Sequence, residues 1–162
     1  MPVMESRRSS KLSRLTSSSP ALRAAGEGGK GLPLVRAPLY IALLHYPVVN
    51  RRGALVTTAV TNKDIHDISR TSRTFGAQEF FLVTPIEDQH ELIGRILGHW
   101  MTEKSRVYHP DRVEAVSRVR IVPTFDDVKT AIRSAHGQDP EVVLTDARPL
   151  PKSISYGAYR RE

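Results

Sequence analysis

The stretch that most limits what this chain can fold into is residues 61–76, Thr-Asn-Lys-Asp-Ile-His-Asp-Ile-Ser-Arg-Thr-Ser-Arg-Thr-Phe-Gly. A continuous apolar run, residues 39–44, precedes it, and a second, residues 79–83, follows at once. Asn62 is a residue type that caps a helix start, and Gly76 is one that ends a helix in the left-handed conformation. Between them Ile65, Ile68, Ser72 and Phe75 recur three and four apart, which sets them on one helical face. His66, Arg70 and Arg73 recur likewise on the other side. Strand, polar loop, capped helix and second strand make a βαβ unit. Its loop and helix start lie beyond the carboxyl end of the first strand, where open α/β sheets bind ligands.

The pattern repeats downstream. Thr84-Pro-Ile-Glu87 reads as a capping box opening a helix that runs to about Met101. Leu92/Ile93, Ile96/Leu97 and Trp100/Met101 give that helix a broad buried face, and Gly94 and Gly98 would permit close packing. Residues 108–112 read as a loop leading to a short helix. A third strand is expected at 119–122. The next helix starts at Thr124 as cap, with Asp126 and Asp127 favoured by the dipole of the first turn. Phe125, Val128 and Ile132 face the core, and Gly137 closes the helix. A fourth strand is expected at 141–145, then a loop at 146–151, and residues 152–162 show no clear pattern. Four apolar strands alternating with helices predict an α/β domain with a mostly parallel sheet.

Charge is informative by where it sits. The formal net charge is +7, but residues 1–36 supply +5 of it and residues 37–162 only +2. The expected folded part is nearly balanced, so bulk charge is a poor argument for a nucleic-acid partner. Residues 1–36 are rich in Ser, Arg and Gly and offer little apolar surface against the entropy of ordering. They read as a disordered tail, with a transit peptide as the other reading. Cysteine is absent, which excludes disulfides, thiolate metal sites and cysteine nucleophiles. No apolar run approaches the ~18–20 residues of a membrane span.

Several chemistries fail on spacing. His90-Glu91 begins a zinc-protease motif, but Gly94 stands where the second histidine belongs, and the other histidines show no ligand spacing. No metal site is expected. The glycine-rich segment at 26–31 precedes the first strand instead of following it, so it is no phosphate loop. The stripe His66/Arg70/Arg73 remains. Arginines beside a crevice hold phosphate or orient a ribose; the same spacing suits a surface ion pair between Asp67 and Arg70. Arg51 and Arg52, in a turn at residues 50–53, either meet a nucleic-acid backbone or are merely solvated.

At Tyr40-Ile-Ala-Leu-Leu-His-Tyr-Pro-Val-Val-Asn50 and Thr57-Thr-Ala-Val-Thr-Asn-Lys-Asp-Ile-His-Asp-Ile-Ser-Arg70 the chain resembles the SPOUT-class, α/β-knot RNA methyltransferases. The nearest group within them is bacterial and related to the tRNA guanine-N1 enzymes. Phe81-Leu-Val-Thr-Pro85, His109-Pro-Asp-Arg112 and Val119-Arg-Ile-Val-Pro123 continue the match, which covers residues 39 to about 151. The resemblance implies a parallel sheet, a cytoplasmic homodimer, S-adenosyl-L-methionine (SAM) as methyl donor, and a guanine base or ribose of tRNA or rRNA as acceptor. In the related ribose methyltransferases the first motif ends in Arg-Thr-x-x-x-x-Gly, and its arginine serves catalysis. Arg70-Thr71 through Phe75-Gly76 has that spacing, so Arg70 is the expected catalytic residue. Asn62, Asp64 and His66 shape the same loop and helix start; Arg51, Arg52, Asn62, His66 and Arg73 are the expected RNA contacts. Family members continue with a further strand, a glycine-rich SAM loop and a knot helix. This sequence stops at Glu162, so it is expected to be the amino-terminal part of such a domain, 37–162, inactive alone and without its cofactor-binding residues. The alternative is a non-catalytic remnant that binds RNA or a partner.

Overall fold

The computed structural model describes residues 37–146, 150–151 and 153–159. The expectations for residues 1–36 and for 147–149 fall outside them. Three parallel strands form the centre: β1 (Ile41–Leu44), β4 (Phe80–Val83) and β5 (Val119–Val122), in the order β1-β4-β5. Ile41 pairs with Phe80, and Phe80 with Val119. A separate antiparallel hairpin, β2 (Val48–Val49) and β3 (Leu55–Val56), follows β1. The expected turn lies between its strands. Asn50 Oδ1 accepts the amides of Arg52 at 2.9 Å and Ala54 at 3.1 Å.

β4 is the middle strand, and all four of its side chains are fully buried. That explains its continuous apolar sequence: a parallel strand has both faces covered. Phe80 and Leu82 point to one side, where they meet Ile65 and Ile93. Phe81 and Val83 point to the other, where they meet Val122, Val128 and Ile132. Each such side chain contributes roughly 1.5–3 kcal/mol on leaving water. One face is covered by α1 (Asn62–Thr74) and α2 (Glu87–Trp100), the other by α5 (Phe125–His136). Two short helices, α3 (Glu103–Tyr108) and α4 (Pro110–Val116), connect α2 to β5, and α6 (Tyr156–Tyr159) is a single turn near the end.

The structure corrects several local expectations. Thr61, not Asn62, caps α1: its Oγ1 accepts the Asp64 amide at 3.2 Å, and Asp64 accepts the Thr61 amide at 2.9 Å. Asn62 is the first helical residue. Phe75 is 73% exposed, because the helix has ended before it can turn inward; Ser69 is buried in its place. Thr84 does not cap α2. Its amide donates to Val122 O and extends the sheet, so α2 starts later, at Glu87 with Ile86 before it. Leu92 is 52% exposed, and Gly94 and Gly98 face open space with nothing to pack against. The supposed loop at 108–112 is one linking residue, His109, between two helices. Residues 141–145 form no strand, and Val142, Val143 and Leu144 are exposed. An apolar run becomes a strand only where a neighbouring strand takes up its backbone groups, and in this structure none does.

Candidate functional site

Arg70 lies in the third turn of α1, nine residues beyond the Thr61 cap, or roughly 13 Å along the axis. α1 packs against α4, whose Val113, Ala115 and Val116 are buried. Between the end of α1 and the α3–α4 junction lies a cleft of about 430 Å³. Arg70, Arg73 and Thr74 form one wall; Tyr108, His109, Pro110, Asp111, Arg112 and Ala115 form the other. A hollow of about 320 Å³, lined by Asp67, Arg70, Thr71, Thr74 and Phe75, adjoins it. Arg70 borders both.

The three arginines of the cleft are held differently. Arg73 donates to Asp111 at 3.0 Å and lies 2.8 Å from Glu114. Glu114 also meets Arg118 at 3.2 Å. The hydrogen bond from Arg73 leads the causes that hold the Glu114 carboxyl below its ordinary value. Arg112 has no carboxylate partner among the described residues; its guanidinium stands over the Trp100 ring, 4.7 Å from the ring centre. Arg70 has neither carboxylate nor aromatic partner among the described residues, and the Asp67–Arg70 ion pair is not formed. Two unneutralised guanidiniums therefore border one concave surface, and one of them is braced by stacking.

His66 connects this cleft to the neighbouring aromatic cluster. Its ring meets Trp100 edge-on, with 5.2 Å between centres, and His109 approaches the same indole at 6.0 Å. Burial holds the His66 imidazole below its ordinary pKa. The positive charges of Arg112 and Arg70 act in the same direction, and Asp67 opposes them.

Of the residues expected at the site, the structure gathers His66, Arg70 and Arg73. It does not bring Arg51, Arg52 or Asn62 to them. Asn62 is in the first turn of α1, and Arg51 and Arg52 are exposed at the tip of the β2–β3 hairpin. That hairpin leaves the carboxyl edge of the sheet, where β1 ends, whereas the C-terminal end of α1 lies near the amino edge: Gln78, just beyond it, donates to Leu39 O ahead of β1. Four side chains beside or outside the expected set stand out. Tyr108 and Arg112 complete the cleft, and Trp100, read in sequence as buried face, braces Arg112. His45, read as the end of a strand, is buried at the carboxyl edge. Its Nδ1 is 2.8 Å from Thr58 Oγ1, and its Nε2 has no partner. A histidine directly after an apolar strand was the available signal for it; nothing in the spacing flagged Tyr108.

Comparison with known proteins places the chain in a family. A family model described as SAM-dependent RNA methyltransferase matches residues 38–162. An uncharacterized protein of Aquifex aeolicus is 36% identical over 129 residues, covering 80% of this chain and 63% of that protein. A tRNA (guanine-N(1)-)-methyltransferase of Oleidesulfovibrio alaskensis is 44% identical over 110 residues, and one of Nitratidesulfovibrio vulgaris is 44% identical over 113. Each of these two matches covers 68% of this chain but only 26% of the relative. The chain thus spans about a quarter of the length of the two named enzymes and under two thirds of the Aquifex protein. On the match across residues 38–162, the chain belongs to the SAM-dependent RNA methyltransferase family.

Proposed function

We propose that the chain serves methyl transfer from SAM to RNA, and that its α1 cleft handles the RNA side of that reaction. The observation that carries this reading is Arg70: an exposed guanidinium with no carboxylate partner among the described residues, bordering a concave surface that also holds Arg112. A fixed cationic fork positions a phosphate or stabilises charge that develops on the acceptor. Arg70 acts in that role, with His66 and Arg73 shaping its surroundings. Arg51 and Arg52 on the hairpin contact the RNA backbone elsewhere. The acceptor is a guanine base or a ribose in tRNA or rRNA, and the protein acts in the cytoplasm as a homodimer of the α/β-knot type. No helix among the described residues is long and apolar enough to cross a membrane.

The cleft does not fit SAM. The donor carries sulfonium and ammonium cations against a single carboxylate, so its net charge is positive and Arg70 and Arg112 would meet it with like charge. We assign no methyl-donor contact to these residues. This mismatch favours a second reading: the chain is an RNA-binding part whose donor site is built from other residues. One experiment separates the two. The chain is incubated with radiolabelled SAM and a mixture of tRNA and rRNA, and labelled nucleosides are identified after digestion. Label in a guanine or a ribose supports the first reading. RNA binding without label supports the second. Neither binding nor label overturns both.

A further inference from the structure

We infer that the cleft between α1 and the α3–α4 junction takes an unpaired nucleotide of RNA, with Tyr108 as the surface on which the base stacks and Arg70 and Arg112 as the contacts to its phosphates. This rests on the RNA reading above and names the form of RNA that the site accepts.

Three observations carry it. Tyr108 is 69% exposed, yet it lines a concave surface and does not stand out on a convex one. An exposed aromatic ring offers its face to any base, because every base has a π-face. The cations beside it are Arg70 and Arg112, which no carboxylate neutralises among the described residues; Arg73 is already taken by Asp111 and Glu114. The side chains therefore sort into a ring for a base and two free charges for a backbone. Finally, Trp100 braces Arg112 from behind, so one of the two cations keeps its place before RNA arrives. In a duplex each base is stacked on both sides within the helix. A ring in the wall of a cleft is useful only to a base that has left that stack.

Trp100 is the only tryptophan of the chain, so its emission reports on Arg112 and the cleft. The probe is a single-stranded RNA of about eight nucleotides, within the site sizes of single-strand binders, titrated into the 162-residue chain. A duplex of the same sequence and inorganic polyphosphate serve as comparisons. The single strand is expected to change Trp100 emission saturably and to bind more tightly than the duplex. Tyr108→Ala is expected to weaken that binding about tenfold, and Tyr108→Phe to restore it, because the ring and not the hydroxyl does the work. Arg70→Gln and Arg112→Gln should each lower the slope of log affinity against log salt by about 0.7. All three positions are at least partly exposed, and unchanged circular dichroism checks that each variant is folded. Equal binding of duplex and single strand, or polyphosphate competing as well as RNA, overturns the inference and leaves the RNA reading intact. So does full RNA affinity in Tyr108→Ala with loss in Arg51→Ala/Arg52→Ala. Absence of saturable binding to any RNA overturns the RNA reading itself.

Discussion

Helices α1 and α5 start in the same way, and each stops close to a left-handed glycine. Each opens on a threonine whose hydroxyl accepts the amide three residues on, and the aspartate there accepts in return: Thr61 with Asp64, Thr124 with Asp127. Each is followed by a glycine in the left-handed region, Gly76 at φ 73° and Gly137 at φ 72°. Each covers one face of the same sheet. Their cationic residues differ. On α5, Lys129 meets Asp126 at 2.5 Å, and Arg133 donates from Nε to Asp139 at 2.6 Å. On α1, Arg73 is engaged by Asp111 and Glu114, but Lys63 and Arg70 are not, and of those two Arg70 borders the cleft. The fold needs the caps and the apolar stripe. It does not need a free guanidinium, so the residue left without a partner is the one to examine for function.

The largest expected effect breaks this comparison at its centre. Under the proposed function, Arg70→Ala lowers methyl transfer to RNA about 10²-fold or more in any preparation that supports turnover, because a contact made to developing charge acts in the transition state. SAM affinity should stay nearly constant, since the cleft does not fit the donor. Arg133→Ala on α5 removes an equally basic residue and should leave turnover within about twofold. Single-turnover kinetics together with calorimetric SAM titration check both. Undiminished turnover in Arg70→Ala would make the two helices equivalent and reduce Arg70 to a solvated surface charge.

A smaller effect tests whether the shared capping is energetic as well as geometric. Thr61→Ala and Thr124→Ala each remove the hydroxyl half of the capping box and keep the backbone amide that donates to the aspartate, and each should cost about 1 kcal/mol. Urea unfolding measures this directly through the midpoint at constant slope. RNA affinity should survive Thr61→Ala, because Arg70 lies about two and a half turns from the cap. If α1 lost RNA binding along with its cap, the first turn would matter to the site, and the separation between fold and function on α1 would fail.

How much of this could be read from the sequence depends on what kind of force acts at each place. β4 was legible because burial on both faces demands an unbroken apolar run, and all four of its side chains are buried; β1 and β5, at the edges, are only partly buried, and β5 admits the exposed Arg120. α5 was legible to the residue, from Thr124 to Gly137. α1 was legible as a helix but not in its cap: Asn62 and Thr61 are both capping types, and only the reciprocal bond with Asp64 selects Thr61. Residues 141–145 misled, since apolar character says nothing of whether a pairing edge is at hand. At the site, Arg70, Arg73 and His66 share one helix, and helical spacing alone groups them. Tyr108 and Arg112 come to Arg70 across some forty residues through the packing of α4 on α1. Local periodicity carries no information about that meeting. Arg51 and Arg52 show the reverse: near α1 in sequence, they are set apart from its cleft by the hairpin that carries them.

The smallest expected effect concerns protons on α1. Burial holds His66 below its ordinary pKa, and the charges of Arg112 and then Arg70 add to this against Asp67. In an NMR titration the His66 midpoint should therefore fall below the unperturbed value of about 6.5. Arg112→Gln should raise it, Arg70→Gln should raise it less, and Asp67→Asn should lower it further. The consequence for stability has a definite sign. A histidine whose folded pKa is depressed takes up its proton more readily in the unfolded chain. Its contribution is present above the unfolded value of about 6.5 and is lost as pH falls through the folded one. His45 is also lowered, by burial first and with Asp64 opposing, so the two act over the same acidic range. His66→Gln and His45→Gln tell them apart by which flattens the pH dependence of the unfolding midpoint. RNA in the cleft should act in the opposite direction to the arginines, because a phosphate near Arg70 and Arg112 screens them and raises the His66 midpoint. A midpoint that ignores both arginine variants and bound RNA would mean that His66 does not feel the cleft. The distinction between α1 and α5 would then rest on Arg70 alone.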